Sequence, residues 1–120
     1  MKKKTLVLGA SPNPERYAYK AVQRLKANGH PVVAVGIKPG TIDGIDIQTD
    51  QPIEEEVDTV SIYVRPDIQE GYYDYIFAQH PQRLIFNPGT ENPVLSKMAT
   101  EKGIVVENSC TLVLLGTAQY

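Results

Sequence analysis

The 120-residue sequence has too few cysteines for a disulfide framework and no long apolar run. Its one cysteine, Cys110, cannot form a disulfide bond within the chain, which is typical of a reducing compartment. No run approaches the roughly 18 apolar residues of a membrane helix. The run from Thr5 to Ala10 is shorter than the apolar region of about 7–15 residues in a signal peptide. We therefore expect a cytoplasmic protein without a membrane partner.

An excess of positive charge is also missing. The formal net charge is -2, which gives no bulk attraction to nucleic acid, so nucleic acid is not an expected partner. Hydrophobic residues make up 42% and charged residues 22%, the balance of a folded chain rather than a disordered one. At this length, a single domain over residues 1–120 is the natural interpretation.

Apolar runs of strand length alternate with segments of helical period. The predicted strands are Thr5–Leu8, Val32–Val35, Asp58–Val64, Leu84–Phe86 and Ile104–Val106. Ile45 and Ile47 alternate with polar residues and suggest a short additional strand, and Thr111–Leu115 is predicted to be a last strand or a turn. This alternation predicts an α/β fold, a Rossmann-like three-layer domain with a mainly parallel five-stranded sheet.

The helical segments have recognisable start signals. Asn13-Pro14-Glu15 predicts the first helix start, because Asn can cap, Pro suits the first helical position and Glu favours the positive end of the helix dipole. Its predicted inward face is Tyr17, Ala18, Ala21, Val22 and Leu25. Further predictions are one turn over Pro52–Glu56, a helix capped by Asp67, and a helix with Val94, Leu95, Met98 and Ala99 inward.

Parallel sheets bind ligands outside the carboxyl ends of their strands, where the strand order reverses. The loops at those ends are Gly9–Asn13, Gly36–Gly40, Val64–Pro66, Asn87–Thr90 and Glu107–Cys110. A ligand site is therefore expected where some of these loops meet.

The first of these loops has features of a phosphate site. Gly9 would let a phosphate approach the backbone, Ser11 offers a hydroxyl, and Arg16 offers a cation near a helix N-terminus. An ordinary strand-to-helix turn would contain the same residues. The three-glycine fingerprint of dinucleotide-binding domains is absent, because neither position 11 nor position 14 is glycine.

The end of the second predicted strand favours a phosphorylated ribose. NAD-binding proteins have an acidic residue there that holds the ribose 2′-hydroxyl. In this sequence the position is occupied by Lys38. A cation suits the 2′-phosphate of NADP or the 3′-phosphate of coenzyme A, although a solvated loop lysine is the alternative.

Four segments together resemble the small CoA-binding protein family, which is similar to the CoA-binding domain of the succinyl-CoA synthetase alpha subunit. They are Gly9–Arg16, Val60–Pro66, Gly89–Asn92 and Glu107–Cys110. The resemblance implies a Rossmann-like fold that binds coenzyme A. The positions that it implies are Gly9, Ala10, Ser11 and Asn13 around the pyrophosphate loop, Arg16 and Lys38 as cations, Val64, Arg65 and Pro66 along the adenine and pantetheine path, and Asn87, Pro88 and Gly89 as the opposite wall. Cys110 is expected to face the crevice because it follows the fifth predicted strand.

Catalytic and metal-binding patterns are scarce. The two histidines, His30 and His80, each precede a proline in a turn, and no His/Cys/Asp cluster has metal-ligand spacing. The sequence therefore favours a small-molecule binding or regulatory module over an enzyme, with an NADP-linked redox protein and an interaction domain without nucleotide as alternatives. Cys110 is either a small buried residue or a thiol that can form a mixed disulfide with the CoA thiol.

Overall fold

The apolar runs form one mixed sheet in the computed structural model, which describes residues 2–120. Its strands are β1 (Thr5–Leu8), β2 (Val32–Val35), β3 (Thr41–Ile42), β4 (Ile45–Gln48), β5 (Thr59–Ile62), β6 (Arg83–Phe86) and β7 (Val105–Asn108). Their order is β3-β4-β2-β1-β5-β6-β7. All neighbours pair in parallel except β3 and β4, which are antiparallel. The predicted α/β class and the mainly parallel sheet are confirmed.

The predicted count of five strands is wrong, because the sheet has seven. The extra pair is a hairpin in which Ile42 lies opposite Ile45. Asp43 and Gly44 connect them with φ angles of 49° and 84°. Two residues at positive φ make the turn that best matches the twist of a hairpin, and Asp-Gly is a preferred pair for it. The additional strand suggested at Ile45 and Ile47 is β4, and the Asp-Gly pair is the sequence signal for its partner β3, which was not predicted.

Helices cover both faces of the sheet. They are α1 (Tyr17–Ala27), α2 (Pro66–Gln69), α3 (Tyr73–Ala78), α4 (Pro93–Glu101) and α5 (Thr111–Gly116), with a 3₁₀ turn at Glu70–Tyr72 between α2 and α3. Leu6 and Leu8 belong to the apolar cluster of α3 and α4, whereas Val7 belongs to the cluster of α1 and α5. This alternation of side chains along β1 gives the domain a core on each face of the sheet. Among residues 2–120, none of the helices combines the length and the apolar character needed to cross a bilayer.

The first helix begins later than predicted, at Tyr17 with Arg16 as its N-cap. Asn13 does not cap it. Its Oδ1 accepts a hydrogen bond from the Glu15 amide at 3.0 Å, which closes a local turn. Tyr17 is 67% exposed and not inward, as is Val94 on α4 at 61%. Each lies in the first turn of its helix, where the next residue along the chain, Ala18 or Leu95, takes the buried position instead.

Three further local predictions are corrected. Pro52–Glu56 is not helical, and the Glu54 amide donates to the side-chain oxygen of Gln79 at 3.0 Å. Arg65, not Asp67, caps α2. Thr111–Leu115 is neither a strand nor a turn but forms most of α5, whose first amide donates to the Asn87 side chain.

The strand order determines where a ligand can bind. The chain passes from β1 to β2 on one side and later to β5 on the other side of β1. The order therefore reverses at β1, and the loops that leave the carboxyl ends of β1 and β5 diverge. A crevice forms between them.

Candidate functional site

A cleft of about 650 Å³ lies at the carboxyl ends of β1, β2 and β5. This volume is within the range of small-molecule sites, roughly 300–1,000 Å³. Several positions expected to contact a ligand line it together: Gly9, Ala10, Ser11, Arg16, Lys38, Val64, Arg65 and Pro88. The structure thus brings the loops after four different strands to one place, as the strand-end argument predicted. Their contact with a ligand stays a prediction.

The other predicted positions do not line this cleft: Asn13, Pro66, Asn87, Gly89 and Cys110. Asn87 is 1% exposed, and its amide is used inside the protein. Its Nδ2 donates to Ser61 Oγ and Ile62 O, each at 2.9 Å, and its Oδ1 accepts from the Thr111 amide at 2.8 Å. Asn87 therefore connects the end of β5 to the start of α5 beneath the loops.

Two glycines allow the loops to approach one another. A Cβ on Gly36 would lie 2.1 Å from the carbonyl oxygen of Ala10. A Cβ on Gly9, whose φ is +97°, would lie 3.0 Å from Val64 Cγ1 and 3.1 Å from the carbonyl carbon of Tyr63. The cleft therefore has this shape only because neither position carries a side chain. Gly36 was missing from the predicted site residues, although the loop that contains it was predicted.

The backbone donors of the first loop are mostly occupied. The amides of Gly9 and Ala10 both donate to Val35 O at 2.9 Å, so they are not free for a phosphate. The free amides of a helix are those of its first turn, which in α1 begins at Tyr17. An anion would therefore be held beside Ser11 and the first turn of α1 rather than by Gly9 itself.

The charged side chains at the cleft are mainly basic. Arg16, Lys38 and Arg65 line it, with Glu15 as the acidic lining residue. Arg65 Nε lies 3.4 Å from Asp67 Oδ1, but both side chains are largely exposed, at 72% and 69%. Such exposed pairs contribute little, about 0–1 kcal/mol, so the Arg65 guanidinium remains able to reorient toward an anion. The cleft suits a ligand with more than one phosphate.

Large apolar side chains lie at the rim of the cleft, and the sequence analysis did not assign them to the site. Ile37 is 82% exposed and Ile68 is 42% exposed, and both line the cleft with Tyr17 and Tyr72. Exposed apolar groups around a polar centre are a feature of ligand-binding grooves. The exposure of Ile37 beside Lys38 was not evident from the sequence, because apolar residues next to strands are usually buried.

Tyr63 lines the cleft, and Cys110 lies near its hydroxyl without lining the cleft itself. The Tyr63 hydroxyl is buried and has no hydrogen-bond partner among residues 2–120. Burial raises the pKa of this phenol well above its usual range, and the nearby Cys110 adds to the effect. Cys110 itself is partly buried and occupies the N-cap position of α5, although its side chain makes no capping hydrogen bond. Its disulfide with a ligand thiol stays a hypothesis. Within the described residues, no group of His, Cys, Asp and Glu side chains is arranged to hold a metal.

Comparison with known proteins identifies one matching family and several similar structures. The sequence profile of a family described as a CoA binding domain matches residues 3–116. No functionally curated protein matches the sequence. An uncharacterized protein of known structure shares 46% identity, with a TM-score of 0.97 over 100% of this chain and 99% of that one.

Two further solved structures extend the comparison. A hypothetical protein from Pyrococcus horikoshii OT3 is 29% identical, with a TM-score of 0.80 over 93% of this chain and 80% of that one. A protein from Thermus thermophilus is 22% identical, with a TM-score of 0.85 over 99% of this chain and 91% of that one. At this last identity the likeness concerns the fold alone.

Proposed function

Because the chain belongs to the CoA binding domain family, we propose that it binds coenzyme A or an acyl-CoA in the cleft at the β1–β5 crevice. The observation that carries the proposal is the set of Arg16, Lys38 and Arg65 around one cleft beside the N-terminus of α1. Coenzyme A carries a pyrophosphate and a 3′-phosphate, so several cations near a helix N-terminus match its charge.

The proposed orientation follows from the positions of these groups. The pyrophosphate would lie beside Ser11 and Arg16, near the first turn of α1. Lys38 would contact the 3′-phosphate, with the adenine against the exposed side chain of Ile37. The pantetheine arm would then run past Val64 toward Tyr72, which line the cleft from the β5 side. This assigns the apolar rim to the less polar parts of the ligand.

We further propose that the protein acts as a small Rossmann-like binding or regulatory module in the cytoplasm. Helices on both faces and the reversal of strand order at β1 support the Rossmann-like description. NADP remains a second candidate ligand, because Lys38 would suit a 2′-phosphate equally well. An NADP-linked redox protein would also need a substrate region.

The first prediction distinguishes these ligands by thermal denaturation with CoA, acetyl-CoA, NADPH, NAD and ATP. A ligand that binds only the folded state stabilises it by RT ln(1 + [L]/Kd), about 2.7 kcal/mol at a hundredfold excess over Kd. We expect CoA or acetyl-CoA to give the largest rise in melting temperature. A rise with NADPH and none with CoA would support the redox alternative. No rise with any of these nucleotides would support an interaction domain.

The second prediction is that Lys38→Ala weakens the binding of CoA more than that of dephospho-CoA, which lacks the 3′-phosphate. The loss of a charge-assisted hydrogen bond of about 1.5–3 kcal/mol corresponds to roughly tenfold or more in Kd. Titration calorimetry with both ligands measures the difference. Lys97 is an exposed lysine on α4, and Lys97→Ala serves as the control. It should change the affinity for neither CoA nor dephospho-CoA. Equal losses for the two ligands would show that Lys38 does not contact that phosphate.

A further inference from the structure

The side chain of Gln69 is fully buried, at 0% exposure, although glutamine is usually a surface residue. It extends from α2 beneath the β5 side of the cleft. Its Nε2 donates to two main-chain carbonyls, Val64 O at 2.9 Å and Thr90 O at 2.7 Å. Val64 and Thr90 both line the cleft, and they belong to the loops after β5 and β6. One amide group therefore connects two walls of the cleft.

A second buried amide fixes the direction of the first. Asn92 Nδ2 donates to Gln69 Oε1 and to the Tyr73 hydroxyl, each at 2.9 Å. Asn92 Oδ1 accepts from the Leu95 amide at 3.1 Å and so caps α4. Each polar atom of both amides has a partner. Reversal of Gln69 would place its carbonyl oxygen against two other carbonyls, so the arrangement has only one favourable orientation.

We propose that Gln69 is a positioning residue of the ligand site, which sets the separation of the Val64 and Thr90 walls. The inference rests on the proposed CoA function. Without the Gln69 amide, the buried carbonyl of Thr90 and the partly buried carbonyl of Val64 would lose their side-chain donor and would turn toward water. The two loops would then separate, and the cleft would lose the width that a ligand requires.

Gln79 offers a matched control. It is also buried, at 3% exposure. Its side chain accepts from the Glu54 amide at 3.0 Å and donates to Tyr75 O at 3.2 Å. Glu54 and Gln79 line a separate hollow at the amino ends of the strands, away from the cleft. Gln79→Leu therefore removes a buried amide of the same kind without affecting the proposed ligand site.

The experiment compares Gln69→Leu, Gln79→Leu and the unchanged protein by CoA titration calorimetry and by urea denaturation. Both variants should lose stability, but only Gln69→Leu should raise the Kd for CoA. We expect a rise of about tenfold, which is the loss of affinity seen when a hydrogen bond that supports a metal-binding side chain is removed. Unchanged affinity in Gln69→Leu, or an equal loss in Gln79→Leu, would overturn the inference. Failure of the unchanged protein to bind CoA would instead reject the proposed function.

Hydrogen exchange tests the positioning role even without ligand. In Gln69→Leu, amide exchange should accelerate by about tenfold in the loops that contain Val64 and Thr90, which corresponds to 1.4 kcal/mol of easier opening. It should stay unchanged there in Gln79→Leu. Equal exchange in all three proteins would overturn the inference.

Gln69→Glu provides a variant of the same size should Gln69→Leu not fold. The introduced carboxylate cannot donate to the two carbonyls, whereas its protonated form can donate to one of them. Burial beside two carbonyl oxygens raises the pKa of the introduced carboxyl group, so it ionises only as the pH rises. CoA affinity relative to the unchanged protein should therefore fall as the pH rises through that pKa and should recover as the pH is lowered. A flat affinity ratio across pH would contradict the role of Gln69 as a donor.

Discussion

Replacing Gly36 by alanine is expected to lower the free energy of unfolding by about 3 kcal/mol or more, the upper range for forcing extra atoms into a packed site. The new Cβ would lie 2.1 Å from Ala10 O. Neither the backbone at Gly36 nor the backbone at Ala10 can move away without losing a hydrogen bond. The Gly36 amide donates to Gln48 O at 3.0 Å, and the Ala10 amide donates to Val35 O at 2.9 Å. Relief of the clash must therefore break either the hydrogen bond from Ala10 to β2 or the one from Gly36 to β4.

Urea denaturation measures this loss, and Gly71→Ala supplies the control. No atom lies within 4 Å of the position where a Cβ would stand on Gly71. Gly71 lies in the 3₁₀ turn between α2 and α3, and its substitution should change stability by less than about 1 kcal/mol. Similar unfolding curves for Gly36→Ala and the unchanged protein would show that the loops can separate without loss. CoA binding should also weaken in Gly36→Ala, because both loops line the cleft.

The location of the cleft could be predicted from the sequence because it depends on the order of elements. Apolar runs of four residues place β1 and β2, and every loop after a parallel strand points to the same edge of the sheet. Gly9, Arg16 and Lys38 could therefore be assigned to one edge without knowledge of their contacts. Periodicity also predicted the buried face of α1 from Ala18 to Leu25.

Features that depend on distant partners could not be predicted. The requirement for Gly36 comes from Ala10, and the burial of Gln69 comes from carbonyls on two other loops. The sequence around Thr111–Leu115 is apolar and β-branched in part, which does not distinguish a strand from a buried helix. Its helical state depends on Asn87, a residue of another loop, whose side chain accepts from the first amide of α5.

Replacing Asn87 by leucine is therefore expected to lower the free energy of unfolding, because Asn87 joins β5 to α5. The Thr111 amide would lose its acceptor, which acts as a helix cap, and Ser61 Oγ and Ile62 O would lose a donor. A lost cap contributes about 1–2 kcal/mol and an unsatisfied buried group about 1–3 kcal/mol, so the free energy of unfolding should fall by roughly 2–4 kcal/mol. Asn108→Ala, at an exposed asparagine on the neighbouring strand β7, is the control and should stay within about 0.5 kcal/mol.

The same substitution separates a structural role of Asn87 from the ligand contact that the sequence suggested. Cys110 occupies the N-cap position of α5, directly before the Thr111 amide that Asn87 accepts from, so loosening of this helix end exposes its thiol further. Because each 1.4 kcal/mol of easier opening is tenfold in the open population, a disulfide reagent should label Cys110 in the native protein at least about tenfold faster in Asn87→Leu. A variant with the stability and the labelling rate of the unchanged protein but with lower CoA affinity would instead place the Asn87 side chain in the ligand site. The structure favours the first result, since Asn87 is 1% exposed and all of its polar side-chain atoms have partners inside the protein.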